Sequence, residues 1–108
     1  MTVFPLTVTA TSSDGALQDL LALVGEIDLA TSHLLVEGIE ASIERGAHVV
    51  VLDFSEVTFV NSTGLGVMVA ATKRLRGTGG DLVLRHFRGI PASVLATTGL
   101  DHFFTIES

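Results

Sequence analysis

Three consecutive polar residues, Asn61, Ser62 and Thr63, stand where a strand-like apolar run gives way to a helix-like one in the segment VTFVNSTGLGVMV. In an open α/β sheet, ligands and partners favour this junction, because the following helix presents unpaired amide groups and the positive end of its dipole there. On position alone, the commoner role of Ser62 is to cap the helix, since serine and asparagine are favoured caps.

The other residues that could do chemistry form no convincing catalytic or metal site. Glu26 and Asp28 could form a carboxylate pair for acid/base work, but carboxylates that follow a strand more often begin a helix, so a structural or partner-contact role is favoured. The absence of cysteine excludes disulfides, thiolate metal sites and a cysteine nucleophile. The histidines, which lack zinc-ligand spacing, are His33, His48, His86 and His102. The sequence therefore predicts neither an enzyme nor a metal or cofactor site.

The glycine-rich stretch GTGG at residues 77–80 follows a predicted helix and precedes a predicted strand. A phosphate-binding loop has the opposite order, so this stretch is interpreted as a helix stop. A small-ligand or nucleotide-binding protein is an alternative that no phosphate-cradling loop supports.

Charge and hydropathy exclude further classes of function and location. The 108 residues carry a formal charge of -6, and all lysines and arginines lie from Arg45 onward. Such an acidic chain repels phosphate backbones, so no direct nucleic-acid binding is expected. The first residues lack the basic region of a secretory signal, and no apolar run approaches the roughly 18 residues of a membrane span, so a cytoplasmic location is expected.

The first half of the chain predicts a hairpin and a helix. Residues 3–9 and 20–24 are strand-like and are separated by turn residues at 12–15, which indicates an antiparallel pair. Apolar residues then recur at helical spacing over residues 33–44, and the helix ends at Gly46.

The second half alternates strands with helices. Residues 48–54, HVVVLDF, lack alternation and predict a central strand covered on both faces. A helix from Ser62 ends at the glycines 77–80, DLVLRHF forms a strand, Pro91 opens a third helix, and FFTI closes the sheet. The prediction is a single α/β domain over residues 1–108, with a mostly parallel sheet, crossover helices and one N-terminal antiparallel strand.

The outward face of the second helix is unusually apolar for a surface in contact with water. With Leu65 turned inward, Val67 and Ala70 point outward and Ala71 lies beside them. Two interpretations stay open, namely a docking surface for another protein or a face covered by a neighbouring element.

Five motifs together resemble bacterial anti-sigma factor antagonists of the STAS family. In order, they are GEID, VVVLDF, NSTGLGV, GGDLVL and TGLDHFFTIE, and they extend over nearly the whole chain. The resemblance implies a binding module that captures an anti-sigma factor when unphosphorylated and so frees a sigma factor. It also implies a partner with Ser/Thr kinase activity that phosphorylates Ser62, with Thr63 as the alternative, and a separate phosphatase that resets the protein. The residues expected to contact the partner are Asp28, Asn61, Ser62, Thr63, Gly64, Val67, Ala70 and Ala71.

One residue departs from the family pattern. Members usually carry aspartate before the phosphorylated serine, whereas this chain has Asn61. The alternative function is therefore a STAS scaffold that is not phosphorylated, or a transporter-accessory subunit.

Overall fold

Within the residues that it describes, the computed structural model of the protein shows a five-stranded mixed sheet with three α-helices. The structure describes residues 6–12 and 17–107. The strands are β1 (Thr7–Ser12), β2 (Gln18–Ile27), β3 (Val49–Val60), β4 (Asp81–Arg85) and β5 (Thr105–Glu107). The helices are α1 (Ser32–Glu44), α2 (Ser62–Arg76) and α3 (Ile90–Thr98), followed by a short 3-10 helix, Leu100–His102.

The topology confirms the predicted α/β fold. Strand order is β1-β2-β3-β4-β5, with β1 antiparallel to β2 and every other neighbouring pair parallel. The predicted strand at residues 3–9 is seen from Thr7 onward, and its first residues, like most of the predicted turn at 12–15, lie outside the described ranges. β3 is central, but it runs on to Val60, so the two apolar segments that the sequence separated form one strand.

All three helices pack on one face of the sheet. Their buried side chains, which include Leu35, Met68 and Leu95, belong to one hydrophobic cluster with alternate residues of the strands. Those strand residues are Leu21 and Leu23 in β2, Val50 and Leu52 in β3, and Leu82 and Leu84 in β4. Right-handed crossovers that all step in the same direction along the sheet produce this one-sided arrangement.

The expectation that β3 is covered on both faces is therefore not met. Val49, Val51 and Asp53 point away from the helices, and no helix of the described ranges lies over them. Val51 is nevertheless only 2% exposed, and Leu20 and Val83 flank it on the paired strands. Val50, between Val49 and Val51, faces the helices and belongs to the core cluster.

A small polar cluster holds the last strand. The Asp81 carboxylate accepts hydrogen bonds from the Thr105 hydroxyl at 2.5 Å and from Arg76 Nε at 2.9 Å. Burial alone would raise the pKa of Asp81, but these bonds and one from the Leu82 amide outweigh it and hold the pKa below its usual value. The ionised carboxylate therefore connects α2 to β5.

Candidate functional site

The paired carboxyl ends of β2 and β3 build the site. Ile27 pairs with Val60, and the Asn61 amide donates to the Ile27 carbonyl at 3.1 Å. The residues that follow each strand, Asp28 on one side and residues 61–63 on the other, therefore leave the sheet at the same edge. This is the edge at which open α/β sheets present binding sites.

Asn61 is the cap of α2. Its side-chain oxygen accepts from the Thr63 amide at 3.0 Å and from the Gly64 amide at 3.3 Å. The interpretation of Ser62 as the cap is therefore wrong, because the preceding residue already fills that role. Ser62 is the first residue of the helix, and its side chain is exposed. None of the hydrogen bonds found within the described ranges uses the Ser62 hydroxyl.

Gly64 brings the helix close to the sheet. A Cβ placed on this residue would lie 2.6 Å from Ile27 Cγ2 and 2.8 Å from Val60 Cγ2. Both neighbours are fully buried, so the first turn of α2 can rest on the ends of β2 and β3 only because residue 64 has no side chain.

The Asp28 carboxylate holds the turn into α1. It accepts from the Ala30 amide at 3.0 Å and from the Thr31 amide at 3.1 Å. The Thr31 hydroxyl donates to the Glu26 carbonyl at 2.7 Å and accepts from the Asp28 amide at 3.0 Å. These bonds confirm the helix-start interpretation and fix the loop that stands beside residues 61–63.

Two open grooves flank α2. The first lies between α1 and α2, has a volume of about 340 Å³, and carries the Glu40–Arg74 ion pair in its wall. Its apolar wall consists of Val36, Ile39, Ile43, Val67, Ala70 and Ala71. The second, of about 420 Å³, lies between α2 and the segment around Thr98 and Leu100, and Ser62 is part of its wall.

A ridge of small residues separates the two grooves. Gly66 and Ala70 line both of them and are exposed, and Ser62 lies one turn before Gly66. The spacing of four residues places all three on one stripe of the helix. This ridge presents little side-chain bulk between two apolar hollows, so another backbone can approach α2 closely.

The remaining predicted contact residues differ in accessibility. Val67 is half-buried in the wall of the first groove and Ala70 is exposed on the ridge, whereas Gly64 and Ala71 are buried. The covered-face interpretation applies in part, since α1 packs beside α2 near Ala71 and leaves Ala70 exposed, whereas the docking surface stays a prediction. Thr63 is half-buried, unlike its exposed neighbour Ser62.

Sequence reasoning missed two features of the site. Gly66 lies four residues from both Ser62 and Ala70, a spacing that could have placed it on the same stripe. Leu29, which follows Asp28, is 78% exposed. A lone apolar residue in a turn gives no signal of its own, so only the structure identifies Leu29.

Neither a metal site nor a membrane helix is found in the described part of the chain. Over residues 6–12 and 17–107, no three acidic or histidine side chains come close enough to hold a metal, and no helix is long and apolar enough to cross a membrane. His86 does contact Asp53, at 3.1 Å. Burial alone would raise the pKa of Asp53, but hydrogen bonds from the Ser55 amide and His86 lower it.

Comparison with known proteins identifies the family. A family model described as STAS domain matches residues 8–108. The anti-sigma-B factor antagonist of Listeria monocytogenes is 34% identical over 86 residues, which cover 80% of this chain and 75% of that protein. The anti-sigma-B factor antagonist of Bacillus subtilis is 30% identical over 86 residues, covering 80% and 78%.

Solved structures agree. The crystal structure of an anti-sigma factor antagonist from Mycobacterium paratuberculosis has a TM-score of 0.83 at 26% identity and covers 97% of this chain and 89% of that one. SpoIIAA in its unphosphorylated form has a TM-score of 0.72 at 16% identity, covering 94% and 88%, and supports the fold alone. The chain therefore belongs to the STAS domain family, and its relatives include anti-sigma factor antagonists.

Proposed function

We propose that this protein is an anti-sigma factor antagonist. In its unphosphorylated form it binds a cognate anti-sigma factor and thereby releases a sigma factor. Phosphorylation of Ser62 by a partner with Ser/Thr kinase activity switches it off, and a separate phosphatase restores the active form. The protein acts through binding rather than catalysis, and the proposed setting is the bacterial cytoplasm.

The observation that carries the proposal is the division of roles between Asn61 and Ser62. Asn61 caps α2, and Ser62 is an exposed residue at the helix start whose hydroxyl makes no hydrogen bond within the described ranges. A kinase can modify an exposed hydroxyl without first disrupting the fold. The alternative acceptor, Thr63, is half-buried, which favours Ser62.

The position of Ser62 explains how a phosphate can act as a switch. A phosphoserine adds about -1.5 to -2 charges at pH 7. At the N-terminus of a helix, the dipole stabilises such an anion, so the domain stays folded. A partner packed against α2 would instead meet a bulky, hydrated dianion in the wall of the second groove. Binding falls although the fold is preserved.

The grooves and the ridge suggest how the partner binds. Each groove offers a largely apolar wall, and the ridge residues Gly66 and Ala70 have little bulk to keep a partner away. We propose that apolar side chains of the anti-sigma factor enter the grooves while its backbone crosses the ridge. Leu29 and the Asp28 turn extend this surface at the sheet edge.

The experiment compares three bait proteins in a pull-down from host lysate, with captured proteins identified by mass spectrometry. The baits are wild type, Ser62→Glu and the control Gln18→Glu. Gln18 is the first residue of β2, so the control adds the same charge at the amino ends of the parallel strands, whereas Ser62 follows their carboxyl ends. Wild type and the control should retain a kinase-like anti-sigma factor. The Ser62→Glu bait should lose at least about tenfold in affinity, which corresponds to about 1.4 kcal/mol.

A second assay follows phosphate transfer from ATP by the captured kinase. Incorporation should be seen in wild type and absent in Ser62→Ala. Equal capture of one partner by all three baits, or capture of transporter subunits alone, would overturn the phosphoswitch and favour the STAS scaffold. Asn61 is the reason that the scaffold is kept as the alternative function, because it supplies no carboxylate at the position where the family usually has one.

A further inference from the structure

Lys73 is the only lysine of the chain, and it lies in the wall of the second groove. It is exposed and forms no ion pair within the described ranges. Four of the five arginines do form ion pairs, namely Arg45 with Asp19, Arg74 with Glu40, Arg76 with Asp81 and Arg85 with Glu107. Over residues 6–12 and 17–107, only Lys73 and the exposed Arg88 are therefore cations without such a partner, although the chain carries 12 acidic residues.

Lys73 is also the only charged residue in the wall of the second groove, as far as the described residues show. The rest of that wall consists of Ser62, Leu65, Gly66, Val69, Ala70, Thr98 and Leu100. Asp101 follows this wall along the chain, but its carboxylate contacts His102 at 3.8 Å and does not pair with Lys73. The first groove differs, because its Arg74 is neutralised by Glu40. The second groove is thus largely apolar with one positive end.

Lys73 lies at the opposite end of the second groove from Ser62. It follows Ser62 by eleven residues in α2, which is about three turns, so both residues lie on the same side of the helix. At a rise of 1.5 Å per residue, they are about 16 Å apart along the axis. This distance exceeds the Debye length of about 8 Å at physiological salt. A phosphate on Ser62 would therefore leave Lys73 largely unaffected.

A lysine in the last turn of a helix also stabilises the helix dipole, and that role needs no partner. Arg74 and Arg76 lie in the same turn and already supply positive charge there. Both of them form ion pairs, whereas Lys73 forms none within the part of the chain that the structure describes. The two roles predict different results, because a dipole contribution changes stability alone, whereas a partner contact changes binding.

We infer that Lys73 binds a carboxylate of the anti-sigma factor and helps to select that partner, without taking part in the phosphate switch. This inference rests on the proposed function. The occupant of the second groove is an apolar segment of the anti-sigma factor that carries Asp or Glu about 16 Å from the position facing Ser62. Charge complementarity is the reason, since a basic residue there would be repelled by Lys73. An apolar residue would cover the ammonium group without giving it a counter-charge.

The test measures by titration calorimetry how tightly the variants bind the anti-sigma factor that the wild-type bait captures. Lys73→Glu should bind at least about tenfold more weakly than wild type, because it faces the partner's carboxylate with a like charge. The control Arg88→Glu makes the same charge change at a residue outside the described walls of both grooves and should bind like wild type. Circular dichroism first shows that each variant is folded.

A double variant separates selection from switching. Ser62→Glu should lower the affinity by the same factor in the wild-type and the Lys73→Gln backgrounds, because sites more than about 7–10 Å apart usually contribute additively. A clearly smaller or larger factor in the Lys73→Gln background would place Lys73 in the switch and overturn that part of the inference.

Carbodiimide crosslinking of the wild-type complex tests the contact directly. The reagent joins an amine to a carboxylate in contact with it, with loss of water, and Lys73 carries the only side-chain amine of this chain. Mass spectrometry should find the peptide that contains Lys73 joined to Asp or Glu of the anti-sigma factor. Lys73→Arg keeps the positive charge and should keep most of the affinity, but it should lose this crosslink.

The outcomes distinguish this inference from the proposed function. Equal affinities of Lys73→Glu and Arg88→Glu, or crosslinks to the partner that avoid Lys73, would overturn the inference. The proposed function would then still stand if Ser62→Glu weakens binding. A wild type that captures no anti-sigma factor overturns both.

Discussion

The close approach of α2 to the sheet at Gly64 predicts opposite stability effects for the same substitution at two neighbouring glycines. At residue 64 an added Cβ would lie 2.6 Å from Ile27 Cγ2 and 2.8 Å from Val60 Cγ2. Real Cβ atoms do not come this close to other atoms, and both neighbours are fully buried. Overpacking of this kind costs about 1–3 kcal/mol, so Gly64→Ala should destabilise the protein by that amount.

Gly66 provides the matched control within the same helix. A Cβ at this residue meets nothing within 4 Å, and the backbone is helical. Replacing a glycine in a helix interior with alanine stabilises by roughly 0.5–1 kcal/mol. The two variants should therefore differ by about 1.5–4 kcal/mol in the free energy of unfolding, with opposite signs relative to wild type.

Urea denaturation followed by circular dichroism measures both free energies. For a domain of about this size, each kcal/mol corresponds to roughly 4–8 °C in melting temperature, which gives an independent thermal readout. A Gly64→Ala variant as stable as Gly66→Ala would show that the first turn of α2 can move away from the sheet at no cost. Close packing at Gly64 would then not be what places the first turn of α2 on the ends of β2 and β3.

Three further outcomes can be measured. The free energy of unfolding should fall as the pH drops through the lowered pKa of Asp81, because an ionised group with a depressed pKa contributes stability only above that pKa. Urea denaturation at a series of pH values measures this dependence. Asp81→Asn should flatten it, whereas the control Glu37→Gln should not. Asn61→Ala should lower the free energy of unfolding, measured by urea denaturation, by about 1 kcal/mol because the helix cap is lost. Asn61→Ser should keep most of the stability that the cap contributes. If the acidic surface before Arg45 steers the anti-sigma factor, stopped-flow association should slow with added salt, and a salt-independent rate would exclude such steering.

Periodicity predicted the elements well because burial imposes it. The apolar spacing of α2 and its glycine stop follow from packing against the sheet, and both ends of the helix were located correctly. β3 was less predictable. Ser55 and Glu56 interrupt its apolar pattern and therefore suggest the end of a strand. They are nevertheless part of β3, in the portion that extends past its pairing with β4, and both are exposed there.

The one-sided arrangement of the helices could not be deduced from hydropathy. Three consecutive valines, residues 49–51, do not reveal in the sequence that Val50 faces the helices while its two neighbours face away from them. The distinction depends on the strand order and on the direction of successive crossovers, which are properties of the whole sheet. Likewise, Asn61 and Ser62 are both good caps by residue type, and only the backbone geometry shows that Asn61 accepts the amide hydrogen bonds.

Asn61 should have opposite effects on the rate at which Ser62 is phosphorylated and on the stability of the phosphorylated protein. Aspartate could accept the same amide hydrogen bonds, but it would place a negative charge beside the phosphate on Ser62. Two unit charges about 5 Å apart at an effective dielectric of about 20 repel by about 3 kcal/mol before salt screening. The neutral amide avoids this cost, yet offers no carboxylate to orient the hydroxyl for transfer.

We therefore expect the cognate kinase to phosphorylate Asn61→Asp faster than wild type, and we expect the phosphorylated variant to unfold at lower urea than phosphorylated wild type. The unphosphorylated pair is the control for the second comparison. A variant phosphorylated no faster than wild type would remove the role assigned to the missing carboxylate, because the capping geometry is common to both side chains.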